Sequence, residues 1–193
     1  MSSPVAPNDV LMTGENSFIR YSSDGGKTQS DRASHWRVLW CPAGAGHALF
    51  LKSALTGGEV KIWSDNPPVA RWLQKEIEAL LFPAFADAKT PVVPAAFTRA
   101  GGIDSGATEL VAAKDAEIVL SWNDFLPSFV LTMPPGSGGR PIGVFSTFFP
   151  ARAARIALNG KTAVGTPYAE KRGERESTSA CLAWSETWVR PRT

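Results

Sequence analysis

His35-Trp36-Arg37-Val38-Leu39-Trp40-Cys41, Ala48-Leu49-Phe50-Leu51-Lys52 and Val60-Lys61-Ile62-Trp63-Ser64 are three short apolar runs, separated by the turn 42–46 and by Thr56-Gly57-Gly58. Runs of this length, rich in β-branched and aromatic residues and bounded by glycine-bearing turns, read as consecutive strands of a meander. Side chains alternate across a strand, so Trp36, Val38 and Trp40 share one face of the first run. His35, Arg37, Leu39 and Cys41 take the other.

Directly after the third run the period changes from two to 3.6. Asp65 or Asn66 is placed to cap a helix, and Pro67 and Pro68 suit its first turn, where a missing N–H costs nothing. Val69, Trp72, Leu73, Ile77, Leu80 and Leu81 form one apolar stripe, with Arg71, Lys75 and Glu78 away from its centre. The helix is expected over about 67–82, ending before Pro83. Its stripe must be buried, most simply against a sheet.

The β pattern resumes further along the chain. Residues 108–113 and 116–122 flank a tight turn at Lys114-Asp115, and 128–133 and 144–149 are further strands. Arg155-Ile156-Ala157-Leu158, Asn159-Gly160 and Lys161-Thr162-Ala163-Val164 carry the strongest hairpin signal, because Asn-Gly tolerates the positive φ of a type I′ turn. Residues 180–189 form a long closing strand. On the N-terminal side, Ser17–Tyr21 reads as a short strand, 22–26 as a turn and 25–34 as a polar loop. Residues 1–16 are expected to be a partly ordered arm, and 17–193 a single globular domain. Several antiparallel strands protect their edges by closure or by forming two layers. The expected fold is therefore mainly β: an antiparallel, barrel-like or strongly curved sheet carrying one amphipathic helix, with a two-sheet sandwich as runner-up.

Composition agrees. The chain has 193 residues, 44% of them hydrophobic, with 17 glycines and 15 prolines that suit a turn-rich domain. A net charge of +2 is too balanced for nucleic-acid binding, which needs clustered cations. The charge is uneven, however: 140–193 holds nine Lys/Arg against four Asp/Glu, and the alternating signs of 171–176 suggest a solvated turn. Cys41 and Cys181 are too few for a disulfide framework, and neither their spacing nor that of His35 and His47 matches a metal-ligand set. No metal or cofactor is expected, since the phosphate-loop, dinucleotide-binding and nucleophile-elbow patterns are absent. No apolar run is long enough to span a bilayer and no signal peptide opens the chain, so the expectation is a cytoplasmic protein without membrane contact.

The most unusual motif is Trp184-x-Glu186-x-Trp188. On a regular strand these residues share a face, which puts a carboxylate between two indoles. A carboxylate removed from water must be paired, protonated or used. Glu186 is thus the candidate acid/base, with His35 as a second titratable catalytic group and Arg37 as a ligand-binding residue, the counter-ion for Glu186 or for an anionic ligand. Trp36, Trp40, Trp184 and Trp188 are candidate walls of a ligand pocket, and Asn123 and Asp124 candidate polar groups at its mouth. The implied function is a β-barrel binding an apolar or aromatic small molecule, with proton-transfer chemistry of isomerase, cyclase or lyase type open to it. The alternatives are a non-catalytic carbohydrate- or protein-binding module using exposed tryptophans, and a structural homodimer.

Overall fold

A computed structural model describes residues 8–192. In chain order the strands are β1 (Asn8–Ser22), β2 (Gln29–Trp40), β3 (Gly46–Lys52), β4 (Val60–Ser64), β5 (Val92–Gly102), β6 (Gly106–Ala113) and β7 (Glu117–Phe125). They continue with β8 (Phe129–Met133), β9 (Gly143–Leu158), β10 (Lys161–Thr162), β11 (Ala169–Arg172), β12 (Arg175–Thr178) and β13 (Ala180–Pro191). One helix, α1, occupies 67–81 between β4 and β5. β1 begins at Asn8, so the stretch 8–16, expected as part of an arm, is sheet; 1–7 lie outside the described residues.

Nine strands close a barrel in the order β9-β13-β1-β2-β3-β4-β5-β6-β7 and back to β9. Closure depends on the length of β9: its first half pairs with β13 along one edge, and its second half pairs with β7. β8 continues from β7 beyond a kink at Asp124, whose φ is 53°, and pairs with the first half of β9. The expected antiparallel order holds except at one step, where β4 and β5 run parallel. The reason is α1: a parallel pair needs a long crossover, and the helix supplies it.

Two apolar sets follow from strand alternation. Ile19, Leu49, Leu51, Val111, Leu120, Trp122, Ile156 and Leu182 fill the lumen. On the outer face of β1–β4, Met12, Trp36, Phe50 and Ile62 pack against Val69, Leu73 and Ile77 of α1. β3 feeds both sets, which is why it reads as an unbroken apolar run.

α1 departs from the expected stripe in its middle. Its central turn, Gln74–Glu78, is a π turn, which rotates everything after it. Glu78 therefore points onto β2 and is fully buried, while Leu80 is 43% exposed. Neither expected cap acts through its side chain: Asp65 instead accepts from the His47 backbone N–H at 2.6 Å, and Asn66 donates to the Ala45 carbonyl at 2.8 Å.

Two further differences concern strands. β5 is an additional strand whose inward residues Val93, Ala95 and Phe97 do alternate, but small alanines and Pro94 hide the pattern. β2 starts at Gln29, inside the segment expected to be loop, because Asp31 is buried and accepts from the Ser53 hydroxyl. The Asn159-Gly160 turn has the expected positive φ values of 50° and 76°.

The β5–β6 hairpin closes tightly at Gly101, where φ is 74° and a Cβ would lie 2.1 Å from the Gly106 carbonyl oxygen. Gly101→Ala is expected to cost about 1–3 kcal/mol through strain and displacement of the turn. The urea midpoint should fall at constant slope. An unchanged midpoint contradicts the close approach.

Candidate functional site

The alternation of β13 breaks at Ser185. This residue adopts φ 54° in a bulge, so that the pairing slips between Trp184 and Thr187. Trp184 consequently packs with the lumen set, whereas Trp188 belongs to the outer set and Glu186 opens on the outer face. The three residues do not share a face.

Glu186 is 3% exposed and accepts a hydrogen bond from the Trp188 indole Nε1–H at 2.8 Å. Burial raises its pKa to about 8 against the opposing effects of that bond and of the Ser146 hydroxyl; the fields of Glu15 and Glu78 add to the rise. The acid is thus mostly protonated at neutral pH. Trp36 lies beside Trp188 with ring centroids 5.8 Å apart, and its own indole N–H donates to Glu78 at 2.6 Å. Glu78 also accepts from the Ser34 hydroxyl, and burial pushes its pKa up despite the Arg32 charge.

Glu186 and Trp188 line a cavity of about 170 Å³ that lies outside the barrel. β1 contributes Asn16, Phe18 and Arg20 from successive outward positions, and β8 contributes Leu131 and Met133 from its inner side. Val144 and Phe148 of β9 and Leu81 at the end of α1 complete the apolar wall. Arg32, Arg140 and Arg172 join Arg20 to form a cationic end. The sequence reading missed these four arginines. Its one hint was the positive excess of 140–193, which contains two of them. Arg172 reaches the cavity because the alternating-charge segment, expected as a solvated turn, forms the β11–β12 hairpin with its turn at Gly173.

The other candidate residues lie elsewhere. His35 and Arg37 point to the lumen side, where they belong to a polar cluster near one mouth of the barrel. Arg99 pairs with Glu15 at 2.7 Å and with Glu109, and its guanidinium lies 5.6 Å from the Trp184 ring. Arg37 stands 3.7 Å from Glu15, and the His35 Nε2 atom 3.8 Å from Glu109. Full burial, followed by the charges of Arg99, His47 and Arg37, holds the His35 pKa well below the usual value, so its ring is neutral. At the rim His47 stacks on Phe97 and its Nδ1 is 2.7 Å from Asp65. Trp40 is half exposed at the end of β2. Asn123 and Asp124 sit at the β7–β8 kink, where Asp124 meets exposed Arg152 at 3.1 Å. The structure thus brings Trp36, Glu186 and Trp188 together. It separates them from His35, Arg37 and Trp184 by the barrel wall.

Among the described residues no cluster of three or more His, Cys, Asp or Glu has a metal-binding arrangement, and no helix is long and apolar enough to cross a membrane. Comparison with family models, with curated proteins and with solved structures finds no match for this chain.

Proposed function

We propose that this β-barrel protein binds a small organic molecule in the cavity between the outer face of β1, β9 and β13 and the inner side of β8. The observation that carries this reading is the buried Glu186 carboxyl, held by Trp188 on the wall of a cavity that has Phe18, Leu131, Val144 and Phe148 on its apolar side and four arginines at its other end. Small-molecule sites combine apolar walls with polar groups that fix orientation, and this cavity has both. The size supports a compact ligand, because a cavity of about 150 Å³ accommodates benzene. A carboxyl that keeps its proton at neutral pH offers the ligand a hydrogen-bond donor, and a proton source where the ligand carries a basic oxygen. This acid/base capacity belongs to Glu186 alone, because His35 is on the other side of the wall. A sugar- or protein-binding face made of indoles has less support: of the seven tryptophans only Trp40 is as much as half exposed.

The Trp188 indole N–H is the natural reporter, since it sits at the cavity and is identified in an NMR spectrum by its loss in Trp188→Phe. Benzyl alcohol, a neutral single-ring probe, is expected to shift that resonance saturably. Leu131→Trp, which places a large ring in the cavity, should weaken the interaction at least about tenfold. A Trp188 resonance indifferent to benzyl alcohol and to single-ring anions alike overturns the proposal.

A further inference from the structure

Arg20 and Arg32 are direct cross-strand partners on β1 and β2, and both line the cavity. Like charges placed opposite each other in a sheet destabilise it. Arg140, after the loop that follows β8, and Arg172, at the end of β11, bring two more guanidiniums to the same end. Compensation is incomplete. Glu170 serves both Arg20, at 2.7 Å, and Arg172, at 3.2 Å. Arg32 stacks over Phe82 at 4.9 Å, and its Nε–H is buried without a hydrogen-bond acceptor, as is that of Arg172. Glu78, the acid nearest Arg32 electrostatically, is itself favoured in its protonated form by burial. Arg32 and Arg172 are each disfavoured as cations, first by desolvation and then by the fields of Arg20 and Arg140. The cluster therefore carries more positive charge than its carboxylates balance, beside a cavity with an apolar wall.

We infer that the ligand of this cavity is a small organic oxyanion, a carboxylate or a phosphate monoester, whose head group is bound by Arg20, Arg32, Arg140 and Arg172 and whose body lies on Phe18, Leu131 and Phe148. The inference rests on the cavity being a ligand site, as proposed above, and adds the chemical class. Guanidinium forks match the oxygen pairs of both head groups, and charge-assisted bonds in a partly desolvated site are about twice as strong as neutral ones. The cavity volume of about 170 Å³ is enough for about one aromatic ring or a short chain.

Titrations at constant ionic strength, read on the Trp188 resonance, test this with benzoate, phenyl phosphate, inorganic phosphate and benzyl alcohol. At least one aromatic anion is expected to bind about tenfold tighter than benzyl alcohol, and Arg140→Gln should lower that ratio about fivefold or more. The preferred anion distinguishes a carboxylate from a phosphate ester. Inorganic phosphate binding as tightly as phenyl phosphate overturns the organic body. If benzyl alcohol matches the anions, or the ratio ignores Arg140→Gln, the anionic class falls and the cavity remains a ligand site. No binding in any arm removes both.

Discussion

Glu186→Gln is expected to stabilise the protein at about pH 9 and to leave it nearly unchanged at about pH 4. The carboxyl titrates near 4.5 when the chain is unfolded and near 8 when it is folded, because folding buries it. Between those values the folded state binds the extra proton. Stability from this group is complete below the lower value and is lost as pH rises through the upper one. The shift corresponds to about 3–5 kcal/mol at the alkaline limit. Glutamine has no charge to desolvate, and its amide oxygen still accepts from Trp188. Urea unfolding of both proteins across this range supplies the measurement. Glu78 and Glu109 are also shifted upward, chiefly by burial, so the variant should keep some loss of stability as pH rises above the ordinary carboxylate range. Neutral His35 works in the opposite sense, since its stabilising effect is lost as pH falls below the ordinary imidazole value. The difference between wild type and variant isolates Glu186. A difference that does not change with pH means that this carboxyl is not buried as described.

Trp122→Ala should be the most damaging single change to the barrel. Its side chain is fully buried in the lumen, and its indole N–H donates to the Phe18 carbonyl at 3.0 Å. Truncation leaves a cavity in the lumen core beside the cross-strand partners Ala107 and Ala154 and removes the hydrogen bond to β1, at a cost of about 3–5 kcal/mol. Trp122→Phe should lose about 1–3 kcal/mol, mainly through the hydrogen bond and the smaller ring. Melting temperature and denaturant midpoint report both. A lumen that serves as core predicts these losses. A lumen held open for a ligand predicts little change, which makes the pair a test of where the binding site cannot be.

Much of the fold was legible because local signals agreed with the tertiary answer. The turns at 42–46 and 56–58, the Asn159-Gly160 hairpin and the proline-led start of α1 depend on backbone preferences within a few residues, and each is present. β5 escaped because alanine carries almost no hydrophobic contrast, so its alternation is faint until Phe97 is placed in the lumen. The π turn of α1 escaped because nothing in Gln74-Lys75-Glu76-Ile77-Glu78 marks it. It is favoured by contacts with other elements: Gln74 donates to the Phe85 and Asp87 carbonyls, and Glu78 accepts from β2.

For the site, residue chemistry alone marked Glu186 and Trp188 as exceptional, because a carboxylate beside indoles on an apolar strand has few inexpensive environments. Sequence also determined the β class, the single helix and most turns, since these follow from periodicity and from φ preferences that neighbouring residues set. Only the tertiary structure decided which side of the wall each group occupies. One residue at positive φ, Ser185, reverses the side-chain alternation, placing Trp184 inside and Glu186 outside. Likewise Arg20, Arg32, Arg140 and Arg172 are spread over more than 150 positions, and only the closing of the sheet brings their charges together.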